Sequence, residues 1–159
     1  MPGGSAVVNV VVAGLGGQGV LKASSILADT AFRAGLDVKK SEIHGMSQRG
    51  GSVSSDVRFG ERVFSPMVPA GEADYLVVLA PSQVEVARPV LKAGGILIHP
   101  GLVDETRLAN KRSLNVALLG VLARHLNLAE NLWHAAIRAA LPEKLHAANL
   151  QAFAIGRNP

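Results

Sequence analysis

The chain has 159 residues, of which 48% are hydrophobic and 18% are charged, a composition that is typical of a folded globular protein and excludes a disordered chain. Its net charge of +4 is modest, and the positive residues do not form the basic stripe with interleaved aromatic residues that nucleic-acid-binding proteins show. The sequence contains no cysteine, so disulfides, zinc–thiolate sites and cysteine-ligated iron–sulfur clusters are excluded within this chain. We expect one domain over residues 1–159 that binds no nucleic acid.

The start of the sequence gives no sign of export or membrane insertion. No stretch approaches the roughly 20 consecutive apolar residues that a membrane-spanning helix needs. The first five residues lack the basic start of a secretory signal, and the apolar run over residues 7–13 is short and contains Asn9. We therefore expect a cytoplasmic protein with no membrane partner.

The first third of the chain has the pattern of a strand–helix–strand unit. Residues 7–13 are nearly continuous in β-branched side chains, as in a strand buried on both faces. A glycine-rich loop follows over residues 14–19, and apolar residues at helical spacing then predict a helix over residues 20–34. A short second strand is predicted over residues 36–40, after a right-handed crossover, and a loop over residues 41–51.

The middle of the chain alternates between strand and helix patterns. Residues 52–59 alternate in polarity and are predicted to turn at Gly60 into residues 62–64, which would complete an antiparallel hairpin. The elements predicted next are a strand over residues 75–80, a helix over 83–91 and a strand over 96–99.

The last third of the chain is predicted to be helical over residues 114–126, 130–140 and 143–153, with Pro142 separating the last two helices. Strands that alternate with helices predict the α/β class. We expect a Rossmann-like open, mostly parallel sheet with an antiparallel hairpin, helices on both faces and a helical C-terminal tail at about residues 113–155.

The loop after the first strand matches the Gly-x-Gly-x-x-Gly fingerprint of dinucleotide-binding folds. Glycine lets the backbone approach an anion closely, and the N-terminus of the following helix offers free N–H groups to that anion. No Gly-Lys-Ser/Thr sequence follows, so a nucleotide-triphosphate P-loop is excluded. Three interpretations stay open: strand–helix packing alone, an anionic ligand or partner group, and a nicotinamide dinucleotide. The candidate binding residues are Gly14, Gly16, Gly17, Gln18 and Gly19.

The second predicted strand ends in Lys39 and Lys40, where an NAD site would need an acidic residue for the ribose. These lysines would instead contact a phosphate, such as that of NADP or the 3′-phosphate of coenzyme A. The polar loop that follows ends in two glycines, as functional loops on a rigid scaffold often do. A polar surface loop without a binding role is the alternative. The candidate binding residues in this segment are Glu42, His44, Gln48, Arg49, Gly50 and Gly51.

Arg49 has the chemistry to bind a carboxylate or phosphate through two parallel hydrogen bonds. No nucleophile accompanies His44, and no third ligand accompanies Glu42 and His44. We therefore assign no catalytic residue and no metal site to this chain.

Three motifs occur together in this sequence. They are Gly-Leu-Gly-Gly-Gln-Gly-Val-Leu at residues 14–21, Ser-Glu-Ile-His-Gly-Met-Ser-Gln-Arg-Gly-Gly-Ser-Val at 41–53 and Phe-Ser-Pro at 64–66. Together they resemble the gamma-type subunit of 2-oxoacid:ferredoxin oxidoreductases, and the central motif is most similar to the small (beta) subunit of indolepyruvate oxidoreductase. Segments of the tail, including Leu-Trp at residues 132–133, extend the resemblance over almost the whole chain.

This resemblance implies an accessory subunit that is not catalytic alone. The complex would oxidatively decarboxylate an aryl 2-oxoacid such as indolepyruvate to an acyl-coenzyme A, with coenzyme A as co-substrate and ferredoxin as electron acceptor. Thiamine diphosphate, magnesium and the iron–sulfur clusters would lie on a large partner subunit with ferredoxin-type domains, and this chain alone would bind no cofactor. A homodimer of the isolated chain is a further expectation. The alternative function is a stand-alone NADP- or acyl-coenzyme-A-binding Rossmann-like module.

Overall fold

The computed structural model of the chain describes residues 6–44 and 51–159. Within them, one open sheet has the strand order β2-β3-β1-β4-β5. The five strands are β1 (Val8–Leu15), β2 (Asp37–His44), β3 (Ser52–Gly60), β4 (Ala73–Val78) and β5 (Leu91–Ile98). The α/β class and the open sheet predicted from the sequence are confirmed.

The sheet is mixed, because two of its four strand pairings are parallel and two are antiparallel. β4 pairs in parallel with both β1 and β5, whereas β3 is antiparallel to both β1 and β2. The strands β1 and β2 point the same way but are separated by β3. The antiparallel share of the sheet is therefore larger than the sequence predicted, and the first βαβ unit is split by an inserted strand.

The predicted hairpin between residues 52–59 and 62–64 is wrong. Both edges of β3 are already hydrogen-bonded, one to β1 and the other to β2, so no edge is left for residues 62–64. The backbone N–H of Val63 instead donates to a carboxylate oxygen of Asp37, 2.8 Å away, at the start of β2. The antiparallel partners of β3 thus come from earlier in the chain.

Five α-helices accompany the sheet in the part of the chain that the structure describes. They are α1 (Val20–Arg33), α2 (Val84–Ala87), α3 (Leu114–Ala123), α4 (Glu130–Ala140) and α5 (His146–Arg157). The predicted helix over residues 83–91 is shortened to α2 with a 3₁₀ turn on either side. Pro89 cannot donate the backbone hydrogen bond that would continue α2, and Leu91 already pairs with Ala73 as the first residue of β5.

The helices cover the two faces of the sheet unequally. One face carries Val10 and Val12 of β1 and packs against α1, α3 and the rest of the helical tail in the main core. The other face carries Val11 and Ala13 and packs against the segment around α2 in a much smaller cluster. The chain therefore leaves β1 for a helix on one face and leaves β4 for a helix on the opposite face.

Helix α3 lies at the centre of the main core. Nine of its ten residues are buried, because the helix is sandwiched between the sheet and α5. Gly120 of α3 and Gly156 of α5 bring the two helices close, since a Cβ atom at either position would overlap the backbone of the other helix. This packing fixes the start of α3 beside the glycine loop.

Candidate functional site

The glycine loop closes on itself through Gln18. The backbone N–H of Leu15 donates to the Gln18 side-chain oxygen at 2.7 Å, and the backbone N–H of Gln18 donates to the carbonyl oxygen of Leu15 at 3.2 Å. A Cβ atom at Gly14 would lie 2.8 Å from the same Gln18 oxygen. Gly14 therefore makes room for Gln18, whose side chain sets the shape of the turn.

Gly19 joins the glycine loop to the helical tail. It caps the start of α1 with a φ of +83°, in the left-handed region that favours glycine. Its carbonyl oxygen accepts hydrogen bonds from the backbone N–H of Ala23 at 2.9 Å and from the side-chain amide of Asn115 at 3.2 Å. Asn115 is buried in α3, so the loop and α3 are held in one arrangement.

The loop after β2 meets the glycine loop at the same end of the sheet. His44, the last residue of β2, pairs with Val53 of β3, and Val53 pairs with Gly14 of β1. The backbone N–H of Gly16 also donates to the carbonyl oxygen of Gly51 at 3.1 Å. The two candidate segments therefore adjoin, as a single binding region would require.

The predicted site residues Gln48, Arg49 and Gly50 lie outside the described residues, as does the side chain of His44. Their proposed contacts to a ligand or partner stay predictions.

Three other predicted site residues lie away from the glycine loop. Lys40 pairs with Val57, which in turn pairs with Val10, four residues before Gly14 and about 13 Å along the strand at the usual rise per residue. The ammonium group of Lys40 contacts Glu42 at 3.0 Å and also the Ser25 hydroxyl of α1 at 2.9 Å.

Lys39 is likewise engaged elsewhere, because its ammonium group lies 3.2 Å from the carboxylate of Asp37. The structure thus places Lys39, Lys40 and Glu42 in local ion pairs on the edge strand β2, and it does not bring them to the glycine loop.

A cleft of about 470 Å³ opens beside the glycine loop, and we call it the glycine cleft. It lies at the carboxyl ends of β1 and β4, where the connections leave on opposite faces of the sheet. This is the switch point at which open α/β sheets bind ligands. Its lining residues are Gly17, Gln18, Gly19, Leu79, Lys111, Arg112, Leu114 and Asn115.

Two of the lining residues, Lys111 and Arg112, make the glycine cleft positively charged. A 3₁₀ turn holds them in place. The Asn110 side-chain oxygen caps this turn by accepting a hydrogen bond from the backbone N–H of Arg112 at 2.9 Å, and the Ser113 hydroxyl donates to the carbonyl oxygen of Asn110. Neither takes part in an ion pair within the part of the chain that the structure describes. Sequence reasoning did not place them in the site, although two basic residues directly before a strongly apolar helix are a visible signal.

The described residues do not have the donor sets of a metal centre. No three histidine, aspartate or glutamate side chains approach one another closely enough within residues 6–44 and 51–159, and the sequence has no cysteine for an iron–sulfur cluster. In the same residues, no helix is both long enough and apolar enough to cross a membrane.

Comparison with protein families gives one match over the part of the chain that holds the sheet. Residues 9–104 match the family described as pyruvate ferredoxin/flavodoxin oxidoreductase. The matched range contains both the glycine loop and the loop after β2.

Among curated proteins, the chain is similar to the indolepyruvate oxidoreductase subunit IorB of Thermococcus kodakarensis, with 50% identity over 91 residues. That alignment covers 56% of this chain and 44% of the relative. The chain therefore matches less than half the length of this relative.

Two solved structures share the fold at 20% sequence identity. The gamma subunit of a keto/oxoacid ferredoxin oxidoreductase from Geobacter sulfurreducens aligns over 96% of this chain and 95% of its own, with a TM-score of 0.80. A 2-oxoglutarate:ferredoxin oxidoreductase from Magnetococcus marinus aligns over 95% of this chain and 30% of its own, with a TM-score of 0.82. The same fold thus occurs both as a chain of this size and as part of a longer one.

Proposed function

Since the chain belongs to the pyruvate ferredoxin/flavodoxin oxidoreductase family, we propose that it is an accessory subunit of a 2-oxoacid:ferredoxin oxidoreductase of the indolepyruvate type. The complex would oxidatively decarboxylate an aryl 2-oxoacid and transfer the acyl group to coenzyme A. The similarity to an indolepyruvate oxidoreductase subunit supports this substrate class. The electrons would pass to a ferredoxin.

The chain's own side chains support a division of labour within that complex. The lack of cysteine in the sequence does not fit an iron–sulfur cluster, so the clusters would belong to a large partner subunit. That partner would also bind thiamine diphosphate and magnesium. This chain would bind a group of the substrate and pack against the partner subunit. Both roles require complementary surfaces and do not require catalytic side chains.

The glycine cleft is the observation that carries the binding role. It combines the N-terminus of α1, which favours anions, with Lys111 and Arg112 at its rim. We propose that it receives a phosphate group of coenzyme A, the co-substrate of the complex. Arginine and lysine suit this ligand, because phosphate accepts charge-assisted hydrogen bonds from both.

The positions of Lys39 and Lys40 argue against the competing proposal of a stand-alone NADP-binding module. That proposal needs Lys39 and Lys40 beside the glycine loop to contact the 2′-phosphate, whereas both lysines are in ion pairs along β2. Calorimetric titration of the isolated chain with NADPH and NADH separates the proposals, because binding of either dinucleotide at micromolar concentration would favour the module.

The decisive test is reconstitution of the complex. The chain is expressed together with a large thiamine-containing subunit of an indolepyruvate oxidoreductase, copurified, and assayed for arylpyruvate-dependent reduction of ferredoxin or a viologen dye in the presence of coenzyme A. We expect activity only when both subunits are present. Failure of the large subunit to associate with this chain would contradict the proposed function.

A further inference from the structure

One half of the sheet face that carries Val11 and Ala13 has little cover. Helix α2 and its flanking turns pack over β4 and the adjoining part of β1 in the smaller core cluster. Over β3 and β2 the face opens into a cleft of about 400 Å³, which we call the sheet cleft. It is distinct from the glycine cleft, with which it shares no lining residue.

The walls of the sheet cleft are mainly apolar. Ile43 on the edge strand β2 is 44% exposed, and Val86 of α2 on the opposite wall is 65% exposed. At one end the Ser52 hydroxyl bonds to the Gln83 side-chain oxygen at 2.6 Å, which ties β3 to the turn before α2. Large apolar side chains that are exposed on facing walls mark a surface that another molecule covers.

The connector between β3 and β4 extends this apolar character beyond the cleft. Its residue Val68 is buried against the same sheet face, and its residue Ala70 lines the sheet cleft. On the same connector, Phe64 is 86% exposed and Met67 is 54% exposed. An apolar cleft whose bordering connector also exposes large apolar side chains is suited to a protein segment, which covers more area than a small ligand does.

The sheet cleft also contains a buried carboxylate. Asp56 of β3 lines the cleft and is only 5% exposed, and one of its oxygens accepts the backbone N–H of Val68 at 2.8 Å. Arg58, the nearest cation along β3, donates its hydrogen bonds to Asn9 and to the carbonyl oxygen of Ser65, and it acts on Asp56 through its charge alone. Within the described residues, Asp56 forms no ion pair.

Burial is the largest influence on the Asp56 carboxyl group and raises its pKa, while the N–H of Val68 and the charge of Arg58 act in the opposite direction. A partner that brings a lysine, an arginine or a free N–H group into the cleft would add a charge-assisted hydrogen bond to this carboxylate. This charge complementarity indicates what the occupant must carry in addition to apolar side chains.

We propose that the sheet cleft docks the large subunit of the oxidoreductase complex, through an apolar segment whose lysine or arginine pairs with Asp56. This inference rests on the proposed function, because it names the face through which the accessory subunit joins its partner. A symmetric pair of copies of this chain fits less well. Facing sheet clefts would bring two buried carboxylates together, and the described lining residues include no lysine or arginine to offset them.

The test compares substitutions on opposite faces of the molecule. Val86→Lys and Ala70→Lys place a positive charge at exposed positions of the cleft wall, where it opposes the partner's cation, whereas Phe32→Lys does the same on α1, where Phe32 is 70% exposed on the other side of the sheet. Each variant is checked for a native circular dichroism spectrum, and its affinity for the purified large subunit is measured by calorimetry. We expect at least tenfold weaker binding for the two cleft variants and unchanged binding for Phe32→Lys.

Asp56→Asn tests the proposed ion pair, because it removes the charge and keeps an oxygen that can accept the Val68 N–H. We expect weaker binding to the large subunit without a loss of thermal stability in the isolated chain, and a smaller dependence of the affinity on salt.

The outcomes separate this inference from the proposed function. If the wild-type chain binds the large subunit and both cleft variants bind it equally well, the docking face is wrong and the proposed function stands. If the wild-type chain does not bind the large subunit, both are wrong. If the cleft variants only convert a dimer of the isolated chain into a monomer and leave binding to the large subunit unchanged, the occupant is a second copy and this inference is overturned.

Discussion

The backbone N–H of Gly16 donates a hydrogen bond to the carbonyl oxygen of Gly51, with 3.1 Å between nitrogen and oxygen. Gly16 lies in the glycine loop after β1, and Gly51 is the residue before β3. This contact joins the two glycine-containing motifs of the sequence at one end of the sheet. The hydrogen bond therefore connects the start of β3 to the turn that precedes α1.

Two glycines of the loop offer a matched pair of substitutions. Gly17 and Gly19 both have φ near +85°, but a Cβ atom would meet nothing within 4 Å at Gly17 and would lie 2.5 Å from the Asn115 side-chain nitrogen at Gly19. We expect Gly17→Ala to lower the free energy of unfolding by about 1 kcal/mol, the cost of a left-handed alanine. Gly19→Ala should cost more, because Asn115 must also move.

Urea unfolding of the two variants measures this difference directly. Equal losses would mean that α3 adjusts freely to the loop, in contradiction to the fixed contact between Asn115 and Gly19. Asn115→Ala combined with Gly19→Ala supplies the control, since the smaller side chain should recover part of the extra loss.

The basic rim of the glycine cleft carries the next prediction. The double variant Lys111→Gln with Arg112→Gln should weaken the binding of coenzyme A to the assembled complex by about tenfold or more, equivalent to roughly 1.4 kcal/mol. Arg107→Gln is the matched control, because Arg107 is an exposed cation in a neighbouring turn that does not line the cleft.

Titration with coenzyme A and with dephospho-coenzyme A then identifies the group that is bound. If the two basic residues contact the 3′-phosphate, its removal should weaken binding to the wild type and leave the double variant little changed. If the double variant binds coenzyme A as well as the wild type does, the glycine cleft does not hold its phosphates.

The sequence predicted most accurately the helices that pack with one apolar face against a single core. Helix α4 has the predicted bounds, and α1 differs from its prediction by one residue, because an apolar stripe at helical spacing faces a single core. Strand β5 begins at Leu91, five residues before its predicted start at Ile96. Of the residues before Ile96 only Leu91 pairs with β4, and the register then shifts, so residues 92–95 form an irregular, largely exposed stretch with no strand pattern in the sequence.

The candidate site could be predicted only in part, for a related reason. The glycine loop is visible because its residues are consecutive in the sequence. Asn115 contacts Gly19 across 96 residues of chain, and it brings Lys111 and Arg112 with it. No local pattern encodes that contact, because it depends on where α3 packs. Lys39 and Lys40 do not contact the glycine loop, because each forms an ion pair with a carboxylate two residues away in the sequence.

The contact between α3 and α5 gives a prediction on stability. A Cβ atom at Gly156 would overlap the carbonyl oxygen of Ala117 on α3, which is backbone and cannot rotate away. We expect Gly156→Ala to lower the free energy of unfolding by about 2–3 kcal/mol through overpacking. Ala154→Ser, at an exposed position of the same helix, should change it by less than about 0.5 kcal/mol. Thermal and urea unfolding of the isolated chain measure both, and equal stabilities would contradict the close packing.

Two aspartates of the sheet should make opposite contributions to the pH dependence of stability. The N–H of Val63 and the ammonium group of Lys39 hold the pKa of Asp37 below its usual value, whereas burial raises the pKa of Asp56. The ionised form of Asp37 therefore stabilises the folded state above about pH 4, the usual pKa of an unfolded aspartate, and this contribution is lost as the pH falls through the lower folded pKa.

For Asp56 the sign is reversed. Its folded pKa lies above the unfolded one, so the ionised carboxylate opposes folding at neutral pH, and that cost disappears as the pH falls through the folded pKa. Urea unfolding between pH 7 and pH 3 measures both effects. As the pH falls, the free energy of unfolding of the wild type should decrease relative to that of Asp37→Asn. Over the same range it should increase relative to that of Asp56→Asn. Each variant controls for the other, because general acid destabilisation acts on both alike. If the free energy of unfolding depends on pH in the same way for the wild type and both variants, neither carboxylate has the surroundings described for it.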